Sequence, residues 1–241
     1  MSELKRSKDR KVTNSVTESG SARGYNSFGL PSGQAFSCPG ATKFCESICY
    51  AGKLEKMYPS AKRLLIHNWD LLKNATYDEM VVLLDDMMNA FVIETKRANA
   101  KGKDSSFDFR IHWDGDFFSK DYADAWAFVI KNHPGVRFWA YTRSFDFVDS
   151  LVGIDNLSLY LSGDRDNIAE ANVISERYGI PIAAVADTFN EAREMMGGGK
   201  AYNCPEIDKR IPLISEKGSA CIRCGVCPFS RGNVAFSSSG K

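Results

Sequence analysis

The sequence predicts an α/β fold: a parallel sheet curved into a partial or compact (βα) barrel of about six βα units, followed by a C-terminal cysteine-cluster segment. Three observations predict it. Short apolar runs alternate with helical patterns from residue 100 onward. Helix caps and breakers punctuate that alternation. A polar cluster follows each apolar run. Parallel strands covered by crossover helices read as near-continuous apolar runs, as these do.

Two helices precede the alternation. Leu64, Leu65, Trp69 and Leu72 keep helical spacing over 60–73. Thr76 and Glu79 form a capping-box pattern opening a long helix with Met80, Leu84, Met87, Met88 and Phe91 on one face, a core face rather than a cofactor box. The first strand is expected over Phe107–Trp113, with Ser119 capping the next helix and Pro134 beyond its end. Further strands follow at 136–141, 157–161, 181–186 and 200–203. Helices are expected near 145–152, over "NIAEANVISERY" up to Gly179, and near 189–196. This places residues 25–203 in one barrel-like domain, 204–241 in a metal-binding segment packed on it, and 1–24 in a disordered tail. Five Lys or Arg against two acids in the first eleven residues suit a solvated tail or an arm that touches phosphate.

Composition narrows the function classes. A net charge of +1 over 241 residues gives no global nucleic-acid or membrane signature. No run is long and apolar enough to span a bilayer, and no secretory signal pattern opens the chain. Seven clustered cysteines, an odd number, argue for a reducing cytoplasm and metal ligation rather than a disulfide framework.

In parallel α/β architectures ligands sit at the carboxyl ends of the strands. The segments expected there are "DGDFFS" (114–119), "TRS" (142–144), "SGDRD" (162–166) and "DT" (187–188), which could face one mouth. The cysteines form two groups. Cys221, Cys224 and Cys227 stand at x2 spacing before Pro228, and Cys204 can supply a fourth thiolate. Such a set suits an iron–sulfur cluster or a closed zinc site. Cys38-x6-Cys45-x3-Cys49 offers three thiolates, which on a [4Fe–4S] cluster would leave one iron free. Three reduced structural cysteines, or a zinc site borrowing a thiol from the other group, are the other readings.

"CPGATKFCESICYAGK", "RIHWDGDFFSKDYADAW", "FWAYTRS" and "CIRCGVC", in that order, resemble the gene-product-88 family of actinobacteriophages over roughly residues 25–230. That resemblance implies the host cytoplasm and a nucleotide, nucleic acid or modified-base precursor as ligand. More broadly, a three-cysteine motif after a first strand, then βα units and a C-terminal cysteine cluster, is similar to the radical S-adenosylmethionine enzymes. Their usual spacing is x3 then x2, where this chain has x6 then x3. The similarity implies one or two [4Fe–4S] clusters, S-adenosylmethionine and a reductant protein. Gly115 and Asp116 match the motif that contacts the amino group, and Ser162, Gly163 and Asp164 would contact the ribose. Cys204, Cys221, Cys224 and Cys227 would hold an auxiliary cluster. His112, Arg143 and Asp187 would orient substrate, although His112 suits a core position equally.

Two further expectations stand beside this one. In the second, the chain is a zinc-containing barrel transglycosylase that inserts a 7-deazaguanine base into phage DNA, with the zinc on Cys204, Cys221, Cys224 and Cys227 and Asp114, Asp116 or Asp187 as the nucleophile. Trp113, Phe117, Phe118, Trp139 and Tyr141 would then stack a flipped base. In the third, the clusters only stabilise a non-catalytic nucleic-acid-binding protein.

Overall fold

The structure, a computed structural model, describes residues 3–12, 25–103, 105–215 and 218–240. Six strands form one sheet: β1 (Asp108–Arg110), β2 (Arg137–Thr142), β3 (Leu157–Gly163), β4 (Ile182–Ala186), β5 (Ala201–Asn203) and β8 (Asn233–Ser237), in the order β1-β2-β3-β4-β8-β5. Every neighbouring pair is parallel. A separate antiparallel pair, β6 (Ile214–Ser215) and β7 (Gly218–Ser219), lies in the C-terminal segment. The expected α/β class and parallel pairing are present. The expected barrel is not closed: among the described residues the sheet is open, with β1 and β5 at its ends.

The helices are α1 (Lys43–Ile48), α2 (Tyr50–Met57), α3 (Pro59–Leu72), α4 (Tyr77–Ala100), α5 (Lys120–Asn132), α6 (Ile168–Tyr178), α7 (Phe189–Met195) and α8 (Ala220–Cys224). Local sequence signals account for most of their ends. Thr76 and Glu79 close their capping box, and Ser119 Oγ accepts the Tyr122 N–H. Thr188 and Glu191 form a second capping box at α7. Residues 145–150 make a 3-10 helix where a short α-helix was expected. No helix among the described residues is long and apolar enough to cross a membrane.

Strand alternation sorts the two faces of the sheet. Phe138, Ala140, Leu159, Leu161, Ile182 and Ala184 pack with the helices in the main core. Burying a Phe or Leu side chain contributes about 1.5–3 kcal/mol each. Tyr160, Ala183 and Val234 face the other way. They carry Val226, Tyr141, Phe236 and the thiols of Cys204, Cys224 and Cys227. The cysteine segment, which includes α8, is therefore the cover of this second face.

Three features depart from the sequence reading. A run at 26–30 extends beside β1, which is itself shorter than expected. Phe28 N donates to Arg110 O at 3.1 Å, Arg110 N to Asn26 O at 3.0 Å and Leu30 N to Asp114 O at 3.0 Å. Ser27 and Arg110 form a parallel bridge. The C-terminal segment is not an appended piece, because β8 inserts between β4 and β5 and a boundary at 203/204 would cut the sheet. Part of the tail expected to be disordered is structured over residues 3–12. Asp9 pairs with Arg110 at 2.9 Å, Lys11 pairs with Glu206 at 2.8 Å, and Ser219 Oγ donates to Lys11 O at 2.8 Å. The rest of that tail, residues 1–2 and 13–24, lies outside the described residues.

Candidate active site

The run at 26–30 leads into the loop bearing Cys38, so the three-cysteine segment follows one strand-like run and precedes the first long helices. Its location is set by the ends of three neighbouring strands. Thr42 caps α1, its Oγ1 accepting the Cys45 N–H at 3.0 Å. The same hydroxyl donates to Asp164 Oδ2, past the end of β3, at 2.6 Å. Phe44 N donates to Asp166 Oδ2 at 3.1 Å. At Gly40 the loop backbone lies so close to the residue after β2 that a Cβ would stand 2.0 Å from Arg143 O. After β1, Gly115 has φ +82°, and a Cβ there would stand 2.5 Å from Ser37 Oγ. Only glycine fits either approach.

Beneath the loop runs a chain of polar contacts. Asp116 accepts from Thr142 Oγ1 at 2.8 Å, from Arg143 N at 2.7 Å and from Phe117 N at 2.8 Å. Arg143 Nη1 donates to Asp164 Oδ2 at 2.5 Å. Burial lifts the Asp116 carboxyl to about 6 even though those three donors oppose the shift. Asp114 has less help: the Gly115 N–H and the Arg110 charge offset its shift only in part. Both its oxygens are buried with no hydrogen-bond partner. Burial, then the nearby Glu55 carboxylate, push its pKa to about 8. Glu55, turned inward on α2, accepts from Ser32 N at 2.9 Å and Ser32 Oγ at 2.5 Å.

Cys38 and Cys45 line this acidic floor, with Cys49 beside Cys45. Cys38 is raised by burial first and by the charges of Asp116 and Asp114. Cys45 is raised by burial, with Arg143 opposing and Cys49 reinforcing. Cys49 Sγ accepts the Gly52 N–H at 3.3 Å at the start of α2.

The second group occupies the second face of the sheet. Burial raises Cys221, and burial lifts Cys227 to about 12. Cys227 is further raised by Cys204 and Cys224, while Tyr141 beside it acts the other way. Two cations face this group: Arg110 eases ionisation of Cys221 and Cys227, and Lys11 eases that of Cys221 and Cys204. Arg110 also joins the two groups. Its guanidinium lies 5.8 Å from the Tyr141 ring centre, and its Nη2 donates to Tyr50 Oη at 3.1 Å, one residue beyond Cys49.

Among the described residues no three His, Cys, Asp or Glu side chains are gathered about one point as a metal site. The donor chemistry nevertheless suits metal centres. Four thiols faced by two cations match an anionic tetrathiolate centre.

The candidate residues separate into groups. Asp114, Gly115, Asp116, Arg143 and Asp164 meet beneath the three-cysteine loop. Asp164 is fully buried and taken by Thr42 and Arg143, so it anchors the loop rather than facing a ribose. Gly163 packs against Ile168 of α6, where a Cβ would stand 2.7 Å from Ile168 Cδ1, instead of lining a ligand site. Ser162 is half-buried, and its carbonyl accepts from Asn167. Asp187 stands on the exposed rim, paired with Arg165 at 2.9 Å, whose guanidinium lies 4.2 Å from the Phe44 ring centre.

His112 is a core residue here. It packs against Phe117 and lies 3.0 Å from Tyr122 Oη, and burial lowers its pKa to about 3. That environment removes it from substrate contact. Phe117 and Trp139 are fully buried, and Phe118 stacks on Tyr122, so none of the three presents a face for a flipped base. Trp113 is half-buried beneath Tyr50, and Tyr141 lies against the C-terminal thiols. The sequence reading missed Thr42, Tyr50, Glu55, Arg110 and Lys11. Thr42 alone carried a local signal, an N-cap residue three positions before Cys45.

Fold and site together define an open parallel α/β protein with a cysteine-bearing loop over its strand ends. The chain belongs to the gene product 88 family, whose family model matches residues 2–229. It is 49% identical over 247 residues to the Gene 88 protein of Mycobacterium phage L5 and 48% identical over 248 residues to that of Mycobacterium phage D29. Each alignment covers all of both chains. No solved structure matches it.

Proposed function

We propose that this phage protein is a thiolate-ligated iron–sulfur enzyme. Its reaction site lies under the three-cysteine loop, its reaction class is S-adenosylmethionine-type radical chemistry, and its substrate is a nucleotide, nucleic acid or modified-base precursor. One observation carries the reading. The loop bearing Cys38, Cys45 and Cys49 is pinned over the carboxyl ends of β1, β2 and β3, where parallel α/β sheets present their ligands.

Cys38, Cys45 and Cys49 would hold the catalytic centre, and Cys204, Cys221, Cys224 and Cys227 a second centre. A reduced cluster supplies one-electron chemistry when bound. The rest is this chain's own work. Thr42, Asp164 and Arg143 fix the loop. Asp116 is oriented by three donors and offers carboxylate charge beneath Cys38. Asp114 carries its proton at neutral pH and so adds no negative charge beside the thiol of Cys38. The transglycosylase alternative has less support: Asp114 and Asp116 are buried, and Asp187 is held in an exposed ion pair.

The test is the iron, sulfide and zinc content per chain of anaerobically purified protein, with absorbance near ~400 nm as the cluster signature. Iron with sulfide, reduced by Cys45→Ser without loss of the second group's metal, supports the proposal. Zinc alone at the C-terminal set, with no iron at either group, overturns it. Reductant-dependent 5′-deoxyadenosine release tests the reaction class, and none from an iron-replete, reduced protein would remove that part.

A further inference from the structure

The helical corner after the three-cysteine loop carries charge that the rest of the fold leaves unused. Over residues 50–66 the chain places Lys53, Lys56, Lys62 and Arg63, and the only acid is Glu55. Glu55 is buried and committed to Ser32, whereas all four cations are exposed. None of the four has a hydrogen bond or ion pair with an acid among the described residues. The corner therefore shows four uncompensated positive charges in a protein whose whole net charge is +1.

Two rings share it. Tyr50 opens α2, and Tyr58 is the single residue between α2 and α3. Each is 52% exposed. The Tyr50 hydroxyl is tied down to Trp113 O at 2.6 Å, which fixes the ring while its face stays accessible. The inward side of the corner is held by Ala51, Glu55, Leu65 and Asn68, so the display rests on packed helices rather than a free loop.

We propose that this corner is a docking surface for single-stranded nucleic acid, which it leads to the neighbouring three-cysteine site. Unpaired cations that track phosphates, interleaved with accessible rings on which bases stack, are the recognition chemistry of sequence-tolerant single-strand binding. A duplex hides its base faces and gives the tyrosines nothing to stack on. A lipid surface calls for a continuous apolar face, whereas here Met57 is the one exposed aliphatic side chain among the four cations, and α3 turns Leu65 and Leu72 into the fold. The proposal deepens the function above by naming its substrate class, and the corner's role as entry to the site rests on that reading. The binding itself does not.

The experiment is fluorescence anisotropy with a labelled oligothymidylate of about twelve nucleotides, within the range single-strand sites cover. The full-length, anaerobically purified protein is compared with K53Q/K56Q/K62Q/R63Q. Four lost phosphate contacts flatten the log–log salt slope by about 3 and remove about 50-fold of the affinity change between roughly 50 and 200 mM salt. Tyr58→Ser weakens binding at every salt concentration. K96Q/K101Q/K103Q/K131Q changes net charge equally on exposed sites elsewhere and leaves binding unchanged.

Equal binding by the corner variant and wild type overturns the proposal, as does equal loss in both quadruple variants. Tighter binding to a duplex of the same length, or to anionic phosphatidylglycerol vesicles, also overturns it. Circular dichroism controls for folding. Cys45→Ser separates the two ideas: if it loses iron but keeps oligonucleotide binding, the corner is confirmed independently of the catalytic reading. If iron is absent from wild type while binding persists, only the catalytic reading falls.

Discussion

Asp164→Asn is the sharpest probe of how the cysteine loop is held. The carboxylate is fully buried and accepts from Thr42 Oγ1 at 2.6 Å and Arg143 Nη1 at 2.5 Å on one oxygen, and from Asp166 N at 2.9 Å on the other. Arg143 is itself 9% exposed, so its charge has little water to fall back on. Removing one partner of such a pair costs about 3–5 kcal/mol, because the survivor is left buried and uncompensated. The amide retains an acceptor oxygen, which brings the expectation to about 2–4 kcal/mol. Thr42→Val removes the charge-assisted bond to Asp164 together with the α1 N-cap, and should cost about 2–5 kcal/mol.

Most of that loss should be local. The pair holds the loop, while the sheet core rests on Phe138, Leu159, Leu161 and their neighbours. In metal-free, reduced protein, thiol labelling of Cys45 should accelerate by more than tenfold in Asp164→Asn, with a smaller shift in the global melting midpoint. The double variant with Thr42→Val should be less than additive, since both remove the same bond. Labelling at the wild-type rate, or strict additivity, would show that the loop is fixed by something else.

Gly40→Ala should lift the same loop by another route. Its Cβ would stand 2.0 Å from a backbone oxygen, so the expected cost is about 1–3 kcal/mol or more, read as faster Cys45 labelling and a lowered midpoint. Asp114 has a folded-state pKa of about 8 against 3.8 ordinarily, so the folded form holds the extra proton between those values. Stability from this group is complete below about pH 4 and is lost as pH rises to about 8. Asp114→Asn should flatten that decline and be the more stable form of metal-free protein at pH 9, in denaturant titrations across pH. His112 runs opposite, its folded pKa of about 3 lying below the usual 6.5. Its contribution is present above pH 6.5 and is lost as pH falls toward 3. His112→Asn, which tolerates the residue's φ of +58°, should be less stable at pH 7 yet lose less on acidification.

The parallel sheet was legible because its signals are local. Apolar runs, Ser119, Thr76 and Thr188 each mark an element boundary without reference to anything distant. What escaped was long-range. β8 reads as a short, Ser-flanked stretch, and only pairing with both β4 and β5 makes it an interior strand. The run at 26–30 forms no named strand and reveals itself only through ladder bonds to β1. In the site, the Asp and Arg residues after each strand were readable from the rule that strand ends face ligands. Their roles were not: Asp164 and Gly163 sit in the segment expected at a ribose, yet one anchors a loop and the other seats a helix. His112 shows the same limit, since alternation along "FDFRIHW" does not tell which face the helices will cover.

One arrangement gives the two cysteine groups a common frame. The arm at 3–12 pairs Asp9 with Arg110 and Lys11 with Glu206, so it clamps the end of β1 and the C-terminal segment together. Arg110 then reaches Tyr50 beside Cys49 on one side and Tyr141 beside Cys227 on the other. A change in charge at the C-terminal thiols is felt by this buried guanidinium, which also pairs with the carboxylate of Asp9. The arm, β1 and the C-terminal thiols thus share one buried cation, and Arg110→Gln should raise Cys221 and Cys227 further, read as slower thiol labelling of the metal-free protein.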